Sequence, residues 1–120
     1  PMADRILCDV PCSGLGVTGK KPEIKYKSEE DIDSLYEIQY AILENSARFL
    51  KKGGKLIYST CTLNPKENIE ICRKFKKVHN DFILCDILED IECFREDKTV
   101  TVLPFIYGCD GFFIACFERI

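Results

Sequence analysis

Lys55-Leu56-Ile57-Tyr58-Ser59-Thr60-Cys61-Thr62, followed by Asn64-Pro65-Lys66-Glu67, is the stretch on which the fold turns. Residues 55–60 are apolar and β-branched enough to form a buried strand. Asn64, Pro65 and Glu67 then supply an N-cap, an N1 proline and an N3 glutamate, so a helix is expected from Pro65. Ile69, Cys72, Phe75 and Val78 give that helix an apolar face, and His79-Asn80-Asp81 ends it. A strand running through a loop into a helix is the repeating unit of an α/β sheet.

Upstream, Arg5-Ile6-Leu7-Cys8 is a short apolar run ended by Asp9 and the Pro11/Gly14/Gly16 cluster, which reads as a buried strand entering a long loop. Ser28 then looks like an N-cap with Asp31 as its capping-box partner. Ile32, Leu35, Tyr36, Ile42, Leu43, Phe49 and Leu50 recur at helical spacing, predicting about five turns. Lys51 and Lys52 suit the C-terminal dipole of that helix, with Gly53-Gly54 as its left-handed stop. Downstream, Phe82–Cys85 is a third strand, Asp86 to Asp97 an acidic surface segment, and Thr99–Leu103 with Phe112–Glu118 an antiparallel pair. The expected fold is therefore α/β, a mainly parallel sheet wrapped by helices and ending in an antiparallel hairpin.

The chain has 120 residues, 46% hydrophobic and 31% charged, which fits one globular domain and excludes disordered and low-complexity classes. No apolar run approaches the roughly 18 residues of a membrane helix, and no signal peptide opens the sequence, so a soluble, cytoplasmic protein is expected. The eight cysteines are expected to be reduced, because the helix and strand patterns are unlike a disulfide scaffold. A zinc site is not expected: no Cys-x-x-Cys pair exists and His79 is the single histidine. A net charge of −3 argues against a protein that coats nucleic acid, but the charge is uneven. Lys20, Lys21, Lys25 and Lys27 form a basic run that reads as either a solvated loop or a phosphate contact.

In open α/β sheets ligands bind beyond the carboxyl ends of the strands. Asp9-Val10-Pro11-Cys12-Ser13-Gly14 and Thr60-Cys61-Thr62 both fall there. If their strands are neighbours, about 4.8 Å apart, Cys12 and Cys61 can face one cleft. A lone cysteine is more often a buried spacer, but two converging thiols beside a carboxylate exceed what packing requires.

The pattern D-x-P-C-S-G-x-G, followed some fifty residues later by S-T-C-T-x-x-P-x-E-N, resembles the RNA cytosine-5 methyltransferases of the Fmu/Sun family, the ribosomal RNA methyltransferase B group. The likeness continues through Pro22-Glu23-Ile24-Lys25, Ser28-x-x-Asp31-Ile32, Lys52-x-Gly54 and Asp110-Gly111-Phe112-Phe113. It implies an S-adenosylmethionine-dependent enzyme with a Rossmann-like fold acting on RNA, with ribosomal RNA as the expected substrate. It further implies Cys61 as the nucleophile that adds to cytosine and Cys12 as the thiol that assists product release. Asp9 would serve cofactor and target base, Pro11 the cofactor, and Lys20, Lys21, Lys25 and Lys27 the RNA backbone. The glycine-rich turn and ribose-binding acid of the cofactor half have no counterpart before Asp4. Residues 1–120 are thus expected to be the C-terminal part of a catalytic domain, inactive alone. The competing readings are a non-catalytic RNA-binding or assembly module, a thiol-redox protein, and a DNA cytosine methyltransferase. The last would place its nucleophile in the Pro-Cys motif, against Cys61.

Overall fold

Alternation of buried and exposed side chains sets the sheet. The computed structural model describes residues 3–11, 29–62, 64–87, 93–102 and 111–120. Strand β1 (Ala3–Asp9) pairs in parallel with β2 (Leu50–Thr60), Cys8 opposite Tyr58 and Asp9 opposite Ser59. Helix α1 (Glu29–Ala47) connects them, the crossover that a parallel pair demands. Helix α2 (Ile69–Val78) follows β2, then come β3 (Phe82–Cys85), β4 (Phe94–Glu96), β5 (Thr99–Val102) and β6 (Phe112–Arg119).

β1, β2 and β3 run the same way, as expected of the α/β class, but β6 enters between β2 and β3 in the opposite direction. The parallel ladder is therefore confined to β1–β2, and the sheet is mixed rather than mainly parallel. The outer edge of β6 is shared: β5 takes Phe112–Ile114 and β3 takes Cys116–Arg119. The expected hairpin of β5 with β6 is present.

One face of the sheet carries Cys8, Leu56, Tyr58, Phe113, Ala115 and Phe117 against Leu43 and Ala47 of α1 and Cys72 and Phe75 of α2. Phe75 is central, its ring edge-on to Phe82 and Phe117 at centroid distances of 5.1 and 5.0 Å and stacked on His79 at 4.5 Å. His79 Nε2 lies 2.7 Å from Glu44 Oε2, joining the end of α2 to α1. The opposite face leaves Leu7, Ile57 and Ile83 exposed among the described residues.

Three boundaries differ from expectation. α1 stops at Ala47, not at the glycines, because Leu50 is fully buried and already pairs with Ala3 as the start of β2. Phe49 closes the exit turn through its N–H to Ser46 O (3.1 Å) and accepts Ala3 N–H (2.8 Å); its side chain is exposed rather than on the helix's apolar face. Lys51 and Lys52 thus lie in the strand, and no basic residue occupies the last turn of α1. Gly53 does have a positive φ of 81°, but it bends the opening of β2. α2 starts at Ile69, after a turn in which Asn64 Oδ1 accepts the Lys66 N–H (3.2 Å). The acidic segment also holds a strand, β4, joined to β5 through Asp97 and Lys98, both left-handed with φ of 50° and 70°. Arg73 of α2 binds Glu96 (2.8 Å) and Asp97 (2.9 Å), tying that hairpin to the helix.

Gly54 lies against Asp4 of β1 and the opening residues of β2. A Cβ there would lie 2.8 Å from Leu50 Cδ1, 2.9 Å from Lys51 O and 3.0 Å from Asp4 O. At Gly53 a Cβ would meet nothing within 4 Å, so only backbone conformation opposes it. Gly54→Ala is expected to cost about 1–3 kcal/mol by overpacking, and Gly53→Ala about 1–2 kcal/mol from the left-handed backbone. Denaturant melts of both variants would test the order, which reverses if the β1–β2 contact yields easily.

Candidate active site

Strand periodicity presents Cys61. Successive side chains of β2 and its extension point to opposite sides, so Thr60 and Thr62 turn inward, 1% and 0% exposed, while Cys61 between them is exposed. Both threonines are anchored. Thr60 Oγ1 donates to Asn68 Oδ1 (2.5 Å), and Thr62 Oγ1 donates to Glu67 Oε2 (3.4 Å) while accepting the Asn64 N–H (3.2 Å). The Asn68 amide closes the loop by donating to Thr62 O (2.8 Å). Cys61 therefore rides at the apex of a short loop held on both sides by buried hydrogen bonds.

The centre of this network is Glu67, fully buried. Besides Thr62 its carboxylate accepts Asn64 Nδ2 (2.8 Å) and Gln39 Nε2 (3.0 Å), and its backbone carbonyl accepts Tyr58 OH (2.7 Å). Asn64 Nδ2 also reaches Tyr36 OH (3.0 Å) on α1. Gln39, likewise fully buried, donates a second bond to Pro11 O (2.8 Å).

Asp9 ends β1 beside this loop, exposed, with Ser59 Oγ donating to its Oδ1 (3.3 Å). Val10 N–H reaches Ser59 O (3.2 Å), so β1 stays zipped to β2 up to Pro11. The structure thus brings Asp9, Pro11 and Cys61 to the carboxyl ends of two adjacent parallel strands, where α/β folds bind ligands. Cys12 and the lysines Lys20, Lys21, Lys25 and Lys27 lie outside the described residues. The helix expected from Pro65 starts later, at Ile69. The amides between are taken by the chain's own oxygens, Glu67 N–H by Asn64 O and Asn68 and Glu70 N–H by Pro65 O. Chemically, the loop presents a sulfur nucleophile in a fixed position, one strand from a carboxylate able to hold or exchange a proton.

Glu67 reads in the sequence as a capping residue and Gln39 carries no motif signal; the structure makes both part of the site. The available signal was position, since Gln39 lies four residues from each of the buried Leu35 and Leu43. A cleft of about 710 Å³ lies elsewhere, between α2, β3 and the Asp97–Lys98 turn. No three His, Cys, Asp or Glu side chains group as metal ligands among the described residues, and no described helix is long and apolar enough to cross a membrane.

Residues 1–118 match the family described as 16S rRNA methyltransferase RsmB/F. The chain belongs to the RsmB/F methyltransferase family. Among RsmB/F relatives, the probable ribosomal RNA small subunit methyltransferase B of Bacillus subtilis is 43% identical across 97% of this chain and 27% of its own length. The ribosomal RNA small subunit methyltransferase F of Vibrio cholerae is 35% identical across 98% of this chain and 26% of its own. The chain thus spans about a quarter of the relatives it matches. The crystal structure of PH0851 superposes with a TM-score of 0.88 at 34% identity, over 98% of this chain and 27% of that one. The structure of NSun6 from Pyrococcus horikoshii with SFG gives 0.80 at 28% identity, over 98% of this chain and 30% of that one. The RsmB/F fold, an α/β Rossmann-like C-terminal half, is the one described above.

The site's exposed thiol contrasts with the thiols in the core. Burial pushes the Cys8 and Cys72 thiols above the ordinary 9.0 and raises Cys116 to about 11, helped there by neighbouring Cys85. The raised values mean that folding favours the protonated form. Their contribution is intact below pH 9.0 and is lost as pH rises, because the unfolded chain ionises first. Stability measured by denaturant is expected to fall above about pH 9, and native-state alkylation at pH 8 should modify Cys61 while sparing Cys72 and Cys116. Labelling of Cys72 as fast as Cys61 would contradict the described packing.

Proposed function

We propose that this chain is the C-terminal part of a catalytic domain that transfers a methyl group from S-adenosylmethionine to carbon 5 of cytosine in ribosomal RNA. The observation that carries the proposal is Cys61, held exposed between buried Thr60 and Thr62, one strand from Asp9. Carbon 5 of cytosine is a weak nucleophile, so a thiolate first adds to ring carbon 6, and the sulfur–carbon bond leaves carbon 5 enamine-like. Cys61 is assigned that addition. Once carbon 5 carries the methyl group, its proton passes to a base, the freed electron pair re-forms the carbon 5–carbon 6 double bond, and the sulfur–carbon 6 bond breaks with Cys61 leaving as a thiolate; Cys12 is assigned to assist this release. Asp9 is assigned a contact to the base that supports the protonated or hydrogen-bonded adduct.

The bound cofactor supplies an electrophilic methyl group. Asp9 and Pro11, at the carboxyl end of β1, fit one side of such a ligand, since Asp9 offers an exposed carboxylate acceptor. The likeness to a structure holding SFG, an S-adenosylmethionine analogue, supports the assignment. The remaining cofactor contacts are assigned to the part of the relatives' length that this chain does not span. Lys20, Lys21, Lys25 and Lys27 are assigned to RNA phosphates, and the target base leaves its stack to reach Cys61. Reduced thiols in this chemistry suit a cytoplasmic enzyme.

The test uses the full reading frame around these residues and labelled S-adenosylmethionine with ribosomal RNA. Cys61→Ala is expected to abolish transfer, a loss of about 10³-fold or more, and Cys12→Ala to trap RNA on the protein, seen on a denaturing gel. Transfer that survives Cys61→Ala would overturn the nucleophile assignment. Wild-type protein that transfers nothing to any RNA and does not bind the cofactor would favour a binding module with this fold.

A further inference from the structure

We propose that Gln39 is a positioning residue that fixes the segment entering Cys12 relative to the Cys61 loop, and so sets product release; this rests on the function proposed above. Gln39 Nε2 has two N–H groups and spends both, one on Pro11 O (2.8 Å) and one on Glu67 Oε1 (3.0 Å). Pro11 immediately precedes Cys12, while Glu67 holds Thr62, which immediately follows Cys61. One amide therefore spans both cysteine-bearing segments from a helix that carries neither.

The price of this arrangement is visible in the same side chain. Both partners are acceptors, so the amide nitrogen must face them, and Gln39 Oε1 is left buried with no partner among the described residues. Gln39 is fully buried between Leu35 and Leu43, positions that an apolar residue would fill without an orphaned oxygen. Packing alone gives no reason for an amide there; the two donated bonds do.

The two ends of the bridge are unequally secured. Glu67 also accepts from Asn64 and Thr62, and the Cys61 loop has the further Thr60–Asn68 and Asn68–Thr62 bonds. On the other strand, Val10 is held by Ser59, but the Pro11 carbonyl is held by Gln39. Loss of the Gln39 amide therefore frees the Pro11 carbonyl, next in sequence to Cys12, while the Cys61 loop keeps its other bonds. Attack on the base survives and release slows.

The experiment uses the full reading frame carrying Gln39→Met, equal in length and unbranched but without the N–H groups, and Gln39→Asn, which stays polar but falls one methylene short. Each is measured for folded fraction, RNA KM, the initial rate of covalent complex formation, the complex remaining at steady state, and iodoacetamide labelling of Cys12 and Cys61. The expected result is at least about fivefold more complex at steady state, with formation rate and KM within about twofold of wild type. Cys12 labelling should change by at least about threefold while Cys61 labelling holds. If formation and release fall together in proportion to folded fraction, with Cys12 labelling unchanged, Gln39 only supports the fold and the proposal is overturned. If Cys12→Ala itself accumulates no complex, the release role of Cys12 fails and takes this proposal with it. Labelling that still responds to Gln39 would mark that second failure as one of function and not of the bridge.

Discussion

The buried carboxylate of Glu67 is the constraint around which the site is organised. Placing such a group in a core costs several kcal/mol unless donors surround it, and here Gln39, Asn64 and Thr62 come from a helix, a turn and a loop to do so. Each donor is thereby fixed, and with them the segments they belong to. The same residue's carbonyl takes the Tyr58 hydroxyl, so the network is continuous with the aromatic core beneath it. The loop that carries the exposed Cys61 is held in place by this network.

Much of the fold was legible because it obeys simple periods. β2 alternates, α2 carries its apolar stripe, and Phe82–Cys85 and the closing strand pair lie where apolar runs and turn residues placed them. What escaped had a physical cause in each case. The position of β6 between β2 and β3 is decided by long-range pairing that no local window contains. β4 is three residues long and turns on Asp97-Lys98, where a glycine would have announced the hairpin. The end of α1 was drawn to the glycines, but burial of Leu50 against β1 outweighed the stop signal.

At the site, Cys61 and Asp9 were legible in the sequence, because a thiol and a carboxylate beyond strand ends are unusual there, whereas Pro11 entered only through the family resemblance. Gln39 and Glu67 were not, because their residue types point to the surface and only their partners, 28 residues apart in sequence, explain their burial. In this chain the buried polar residues Gln39 and Glu67 mark the site as much as the cysteines do.

β6 carries a consequence for how the molecule is made. It hydrogen-bonds to β2 on one edge and to β3 and β5 on the other, and it follows all of them in the chain. Until residues 112–119 emerge from the ribosome, β2 lacks its inner neighbour and β3 has no ladder at all among the described strands. Lys55 must wait for Glu118, a closure across half the sequence, before β2 and β3 can share one sheet. Joining these strands into one sheet therefore waits on β6, and until it pairs, the inner edge of β2 and the whole of β3 stay without their ladders.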